Sequence, residues 1–296
     1  MEFLHRKTAA FAVIFIVISL FSIKLVASSK DFSIKTVCRG NPITWNLTYQ
    51  SNVASLLSEL ASKSSISNES LPGFSNASVG QVPDMVYGSY FCRGDLDSEL
   101  CHECVVNVTG ALSKQEATYE CFGFDDQCMV QYADHPIYSL YRKGFVLSYG
   151  GRGRIVPNYE QYNRTLSRTI QGLVKEAAVG KWARTNFATR VTNVTGSSNE
   201  KIYTLVQCSP DISAMNCSSC LDDLYSYIPT RCCGPTSGAD AIHANCMLMY
   251  NNQSFFGGGH APDDHSGAYG GLIPGSFLVC FLLLLSLCFA CKIWIG

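Results

Sequence analysis

The sequence predicts an α+β protein made of two tandem disulfide-rich modules, each with two helices packed on an antiparallel β-sheet. Three observations carry that expectation. Cys92, Cys101 and Cys104 stand at C-x8-C-x2-C, and Cys208, Cys217 and Cys220 repeat the spacing 116 positions later. Apolar residues at intervals of three and four flank each triplet, as one buried helical stripe requires. Segments that alternate with period two follow, as half-buried strands do. Tyr87 and Tyr203, and Asp95 and Asp211, fall in the same register, so the repeat extends beyond sulfur.

Along the chain, residues 1–28 read as a secretory signal peptide: His5, Arg6 and Lys7 precede an apolar run from Ala9 to Phe21, and small residues follow around Ser28. The first module is expected over residues 29–150. Its helices are marked by Val53, Leu56, Leu57 and Leu60 before the triplet and by Val105, Val108 and Leu112 after it. Cys128, Val130 and Tyr132, and then Phe145, Leu147 and Tyr149, read as strands. A Gly- and Arg-rich bridge near Gly150 to Pro157 reads as the boundary. The second module follows over residues 158–256, with helices at Leu166, Ile170, Leu173 and Val174 and at Leu221, Leu224, Tyr225 and Ile228, and a strand at Cys246, Leu248 and Tyr250.

Residues 257–271 read as a flexible stalk and residues 272–291 as an uncharged apolar run. Two readings of that run stand. It is long enough for one transmembrane helix, with Lys292 on the cytosolic side. It also fits a glycolipid-anchor signal, with the small residues Ser266, Gly267 and Ala268 ahead of a removable tail. Either way the globular part faces outward.

Composition narrows the function. Lys plus Arg is 22 and Asp plus Glu is 23, so no charge excess draws the chain to nucleic acid. Asn-x-Ser/Thr sequons begin at Asn46, Asn68, Asn76, Asn107, Asn163, Asn193 and Asn252, each a candidate glycan acceptor in the secretory pathway, and an eighth at Asn216 adjoins Cys217. Twelve of the fifteen cysteines fall between the apolar ends, six per module: Cys38, Cys92, Cys101, Cys104, Cys121 and Cys128, then Cys208, Cys217, Cys220, Cys232, Cys233 and Cys246. An oxidising compartment turns such even sets into disulfides. Zinc binding would need reduced thiols, and a thioredoxin-like redox pair would need a βαβ setting that the pattern lacks. His260, Asp263, Asp264 and His265 lie in the stalk, where no packed shell would orient a metal. His102 reads as an exposed helix residue. No catalytic residue, metal or cofactor is expected, and Tyr132, Tyr138, Tyr141, Tyr149 and Tyr250 read as core rather than interface.

The runs V-Y-G-S-Y-F-C-R-G-D-L-D-S-E-L-C-H-E-C and Y-T-L-V-Q-C-S-P-D-I-S-A-M-N-C-S-S-C, with the later C-C-G-P and C-M-L-M-Y, resemble the ginkbilobin-homologous, or salt-stress/antifungal, domain of plants. The tandem arrangement is similar to that of cysteine-rich receptor-like kinases, cysteine-rich repeat secretory proteins and plasmodesmata-located proteins. The chain ends shortly after its apolar run, which gives the expectation of a relative without a kinase, or of a degenerate receptor-kinase remnant. The resemblance implies pairing of the first and fifth, second and third, and fourth and sixth cysteines of each module. That would join Cys38 to Cys121, Cys92 to Cys101, Cys104 to Cys128, Cys208 to Cys217 and Cys220 to Cys246. The fifth cysteine departs from the family spacing, which would place it at Glu116, and Cys232 and Cys233 have no early cysteine to receive them. A vicinal disulfide, a free thiol or an intermolecular bond would each account for that pair.

Family lectins hold mannose through an Asn, an Arg and a Glu. The matching positions here are Arg39, Phe122 and Ala133, then Asp240 and Asn251, so that sugar site is expected to be absent. The resemblance implies a non-catalytic, membrane-anchored recognition or scaffolding protein at the extracellular face of the plasma membrane or at plasmodesmata, in cell-to-cell communication or defence. Its partners would be receptor ectodomains, cell-wall components or a second copy of the chain. A secreted antifungal carbohydrate-binding protein is the alternative.

Overall fold

The computed structural model describes residues 34–66, 71, 73–144, 147–179, 186–195, 200–228 and 235–257. The signal segment, Asn68, Phe145, Cys232, Cys233, the stalk beyond Gly257 and the apolar run lie outside the described residues. Among those described, no helix is long and apolar enough to cross a membrane.

The first module runs β1 (Lys35–Arg39), α1 (Leu47–Ser64), β2 (Phe74–Val79), β3 (Val86–Cys92), α2 (Ser98–Leu112), β4 (Glu120–Phe124) and β5 (Cys128–Ala133). The second repeats the plan: β6 (Leu147–Ile155), α3 (Tyr159–Val179), β7 (Phe187–Asn193), β8 (Lys201–Cys208), α4 (Ala214–Tyr227), β9 (Thr236–His243) and β10 (Cys246–Asn251). The sheets have strand orders β1-β4-β5-β3-β2 and β6-β9-β10-β8-β7, antiparallel throughout.

Three of the helices start where the sequence can satisfy free backbone donors. Asn46 accepts from the Tyr49 N–H at 2.9 Å, Asp97 from Leu100 at 2.9 Å and Ser213 from Asn216 at 3.2 Å. The stripe Tyr49, Val53, Leu56, Leu57 and Leu60 turns α1 onto its sheet, and Tyr162, Leu166, Ile170, Leu173 and Val174 do the same for α3. Each such aliphatic side chain stabilises the fold by about 1.5–3 kcal/mol on burial. The two tyrosines are anchored alike, Tyr49 donating to the Thr118 carbonyl at 3.3 Å and Tyr162 to that of Ser237 at 2.8 Å.

The bridge near Gly150 to Pro157 proves to be largely strand. β6 pairs with β9 through register shifts between Gly150 and Arg152 and between Arg152 and Ile155, so the second module's sheet begins at Leu147. Glycines suit such irregular pairing, and their abundance made a strand read as a linker. The connection that crosses between modules is the strap 134–144.

The described residues of the two modules belong to one compact unit, and their sheets pack face to face. Phe74, Phe91, Phe122, Phe124 and Met129 of the first sheet share one buried cluster with Leu205, Ile242, Met247 and Met249 of the second. The layers are therefore helices, sheet, sheet, helices. Buried Gln207 ties them, its Nε2 donating to the Cys92 carbonyl at 2.8 Å and its Oε1 accepting from the Gly94 N–H at 2.9 Å. Gly94 must lack a side chain here, because a Cβ would stand 2.6 Å from Cγ of Phe187. The chain's later part returns to the first module: Arg93 pairs with Asp95 at 2.6 and 3.0 Å and donates to the Phe255 carbonyl at 3.1 Å, while the Gly257 N–H reaches Asp95 Oδ2 at 3.3 Å.

Candidate functional site

At one end of the sheet-to-sheet junction lies a cavity of about 110 Å³. Its walls come from three places: Val37, Arg39, Glu120, Phe122 and Gln131 of the first sheet; His135, Ile137, Leu140, Arg142, Lys143 and Gly144 of the strap; and the β9–β10 turn, His243 to Asn245. No sequence motif unites these residues, which only the tandem fold brings together.

The polar groups are held in place. Arg39, on edge strand β1, faces Glu120 of β4 at 3.6 Å, and its guanidinium lies against Gly144, 3.5 Å from where a Cβ would stand. Asp134 accepts from Nδ1 of His135 at 2.7 Å, which leaves Nε2 to accept from Arg142 Nη1 at 2.9 Å. Lys143 is drawn aside to Asp223 of α4 at 2.8 Å, and the Tyr141 hydroxyl donates to the same carboxylate. Burial pushes the Asp223 pKa up, but the bonds from Lys143 and Tyr141 outweigh it and hold the carboxyl below its ordinary range. Tyr141 also sets its ring edge-on to His243, with centroids 5.2 Å apart.

His243 is buried and accepts from the Asn245 N–H at 3.1 Å. Burial pulls its pKa down to about 4, and the positive charge of Arg39 across the cavity lowers it further, against a backbone bond at Arg142 and the Asp223 charge. The ring is therefore neutral near pH 7. His243 also stands with Cys220 and Cys246 in a group of metal-ligating types whose donor atoms all lie within 4.8 Å of one another. The two sulfurs are joined in a disulfide, however, and a disulfide offers no thiolate to a metal.

The structure joins Cys38 to Cys121, Cys92 to Cys101, Cys104 to Cys128, Cys208 to Cys217 and Cys220 to Cys246. Cys38 and Cys121 face each other across the β1–β4 pair, and the triplets fasten α2 and α4 to their sheets. Of the sugar-matching positions, Arg39 and Phe122 line the cavity, while Ala133 is buried at the end of β5. Asp240 is buried on β9 and Asn251 ends β10.

His102 departs from the sequence reading. It is half-buried and bonds through Nδ1 to the Ser64 hydroxyl at 2.8 Å, linking α2 to α1, since helix packing closes over a position that period alone leaves outside. Tyr132 and Tyr250 are core residues, whereas Tyr138 and Tyr141 belong to the strap and bond to the Ala77 carbonyl and to Asp223. Of the sequon asparagines, Asn76 and Asn193 are exposed on the edge strands β2 and β7. Asn107, Asn163, Asn216 and Asn252 are half-covered, and Asn46 serves as a helix cap that also donates to Asp84 at 2.7 Å.

The doubled fold agrees with comparison to known proteins. The family model described as salt stress response/antifungal matches residues 37–135 and 152–253. The chain belongs to that family. Cysteine-rich repeat secretory protein 9 of Arabidopsis thaliana is 32% identical over 232 residues, covering 75% of this chain and 67% of the relative. Cysteine-rich receptor-like protein kinase 10 of the same plant is 33% identical over 211 residues, covering 69% of this chain but 29% of the kinase. Among solved structures, the tandem DUF26 ectodomain of the Arabidopsis cysteine-rich receptor-like protein PDLP8 matches with a TM-score of 0.61 at 18% identity, covering 74% of this chain and 98% of that one. That of PDLP5 matches at 0.55 and 23%, over 74% and 98%. At such identities the likeness establishes the family's tandem fold, and the chemistry rests on the residues above.

Proposed function

We propose that this family member is a non-catalytic recognition protein of the plant apoplast. It is held at the outer face of the plasma membrane through residues 272–291 and acts at plasmodesmata in cell-to-cell communication or defence, through contacts with receptor ectodomains or cell-wall components. One observation carries the reading: two disulfide-braced sheets share a single apolar junction, which fixes a preformed polar cavity between modules. Kinship with secretory repeat proteins and receptor-like kinases supports the extracellular setting, and the sequons at exposed Asn76 and Asn193 supply glycan sites compatible with it.

The test is imaging in plant epidermis with a fluorescent tag inserted after Gly259, beyond the Gly257 contact to Asp95. Punctate label at wall pits that coincides with callose supports the plasmodesmal role. Uniform surface label removes that placement and keeps the apoplastic one, whereas retention inside the cell removes both.

A further inference from the structure

We infer that the junction cavity binds a carboxylate-bearing ligand, with Arg39 and Arg142 as its anion-holding pair. The inference rests on the reading of the junction as a recognition site and names the chemistry that site takes.

Both guanidiniums line the cavity, and that of Arg142 is already oriented. Arg142 is positioned by the chain from Asp134 through His135, with bonds of 2.7 and 2.9 Å. Arg39 faces Glu120, with their nearest atoms 3.6 Å apart. A planar guanidinium presents its donors in a fork that matches a carboxylate, and holding the fork in advance reduces the ordering that binding requires. His243, kept neutral first by burial, lines the same cavity. The remaining walls are apolar at Val37, Phe122 and Leu140 and carry amides at Gln131 and Asn245. Such a lining suits an organic acid better than a bare inorganic ion.

Size adds a constraint. A cavity of roughly 150 Å³ holds one benzene ring. About 110 Å³ therefore accepts the acid end and a few attached atoms, and the rest of the ligand stays at the mouth. Two sources share that chemistry, a free small acid and an acidic unit of a longer chain such as a uronic-acid oligomer.

Titration calorimetry on the full chain, purified in detergent from a secretory host, tests this with galacturonate, its neutral parent galactose, trigalacturonate and acetate. Saturable binding of galacturonate without galactose binding is the expected result. Arg142→Ala, at an exposed side chain, should weaken it about tenfold or more with an unchanged melting curve. Glu120→Gln should tighten it by removing the competing carboxylate. Trigalacturonate binding above the monomer identifies the polymeric source, and acetate binding equal to galacturonate identifies the free acid; both support the carboxylate site. Equal binding of galactose, no saturable binding, an unchanged affinity in Arg142→Ala or a weakened one in Glu120→Gln overturns it. If such a result comes with wall-pit imaging intact, the ligand assignment fails and the apoplastic role stands.

Discussion

The β4–β5 and β9–β10 turns occupy the same place in the two modules and have opposite acid–base character. Asp125 and His243 each stand three positions before a cysteine that is bridged to the helix after the triplet, and each accepts a hydrogen bond from the backbone two residues on, Gln127 at 2.7 Å and Asn245 at 3.1 Å. Both are buried. Burial raises Asp125 to about 7, helped by Asp126 and opposed by the Gln127 bond and Arg93, whereas burial pulls His243 down to about 4. One backbone frame thus accepts an acid or a base, and in each case burial favours the neutral form.

A second contrast lies beneath the helices. Gly88 of β3 and Thr204 of β8 are equivalent, facing Tyr132 and Tyr250 across their sheets. In the first module α1 presses so close that a Cβ on Gly88 would meet Leu56 at 2.7 Å and the Gln131 carbonyl at 3.1 Å. In the second a threonine fits, yet its hydroxyl and that of Tyr250 are buried without a hydrogen-bond partner among the described residues. The first module is tightly packed, and the second accepts looser polar matching.

The largest expected effect concerns the Cys38–Cys121 bridge, which spans 83 residues and ties edge strand β1. Replacing both cysteines by serine should lower stability by about 3–5 kcal/mol in a guanidinium titration. A loss much below that would show that the strap and the sheet junction already hold β1. Next, Gly88→Ala should destabilise by about 1–3 kcal/mol in the same titration through overpacking against Leu56 and Leu60. A neutral outcome would erase the packing contrast.

The turns should give pH slopes of opposite sign. Asp125 has a folded pKa above its unfolded value of 3.8, so its contribution is present at low pH and falls away as pH rises toward about 7. The folded pKa of His243 lies below 6.5, so its contribution is present above that value and is lost as pH falls toward about 4. Melting curves between these limits should become steeper in their rise with pH for Asp125→Asn and lose part of any rise for His243→Asn; parallel profiles would refute the contrast. The smallest effect is at Thr204, where valine keeps the shape and removes an unsatisfied hydroxyl, so stability should rise by about 1 kcal/mol in the guanidinium titration.

Much of this fold was legible in the sequence because it is local. Three-and-four spacing at Val53 to Leu60 and Leu166 to Val174 reports a single buried face, and the cysteine triplets mark where each second helix begins. The face-to-face packing is written in a strand whose second apolar face the alternating pattern passes over. In C-M-L-M-Y, Cys246, Leu248 and Tyr250 point toward the helices, and Met247 and Met249 fill the cross-module cluster. A strand apolar on both faces is covered on both sides. β6 escaped because glycine and arginine signal a linker by composition, while its partner β9 lies far along the chain. The cavity was illegible for a related reason: Arg39 and Arg142 are distant in sequence and meet only after both sheets have formed and the strap has crossed between them.

The return of Phe255 and Gly257 to the Arg93–Asp95 pair has a mechanical consequence. Tension applied through the C-terminus meets this clasp before it reaches β10, the middle strand of its sheet. The load is shared by both modules, and the second sheet is spared from being peeled strand by strand. A pull applied at that end would reach the junction between the sheets before either module began to unravel.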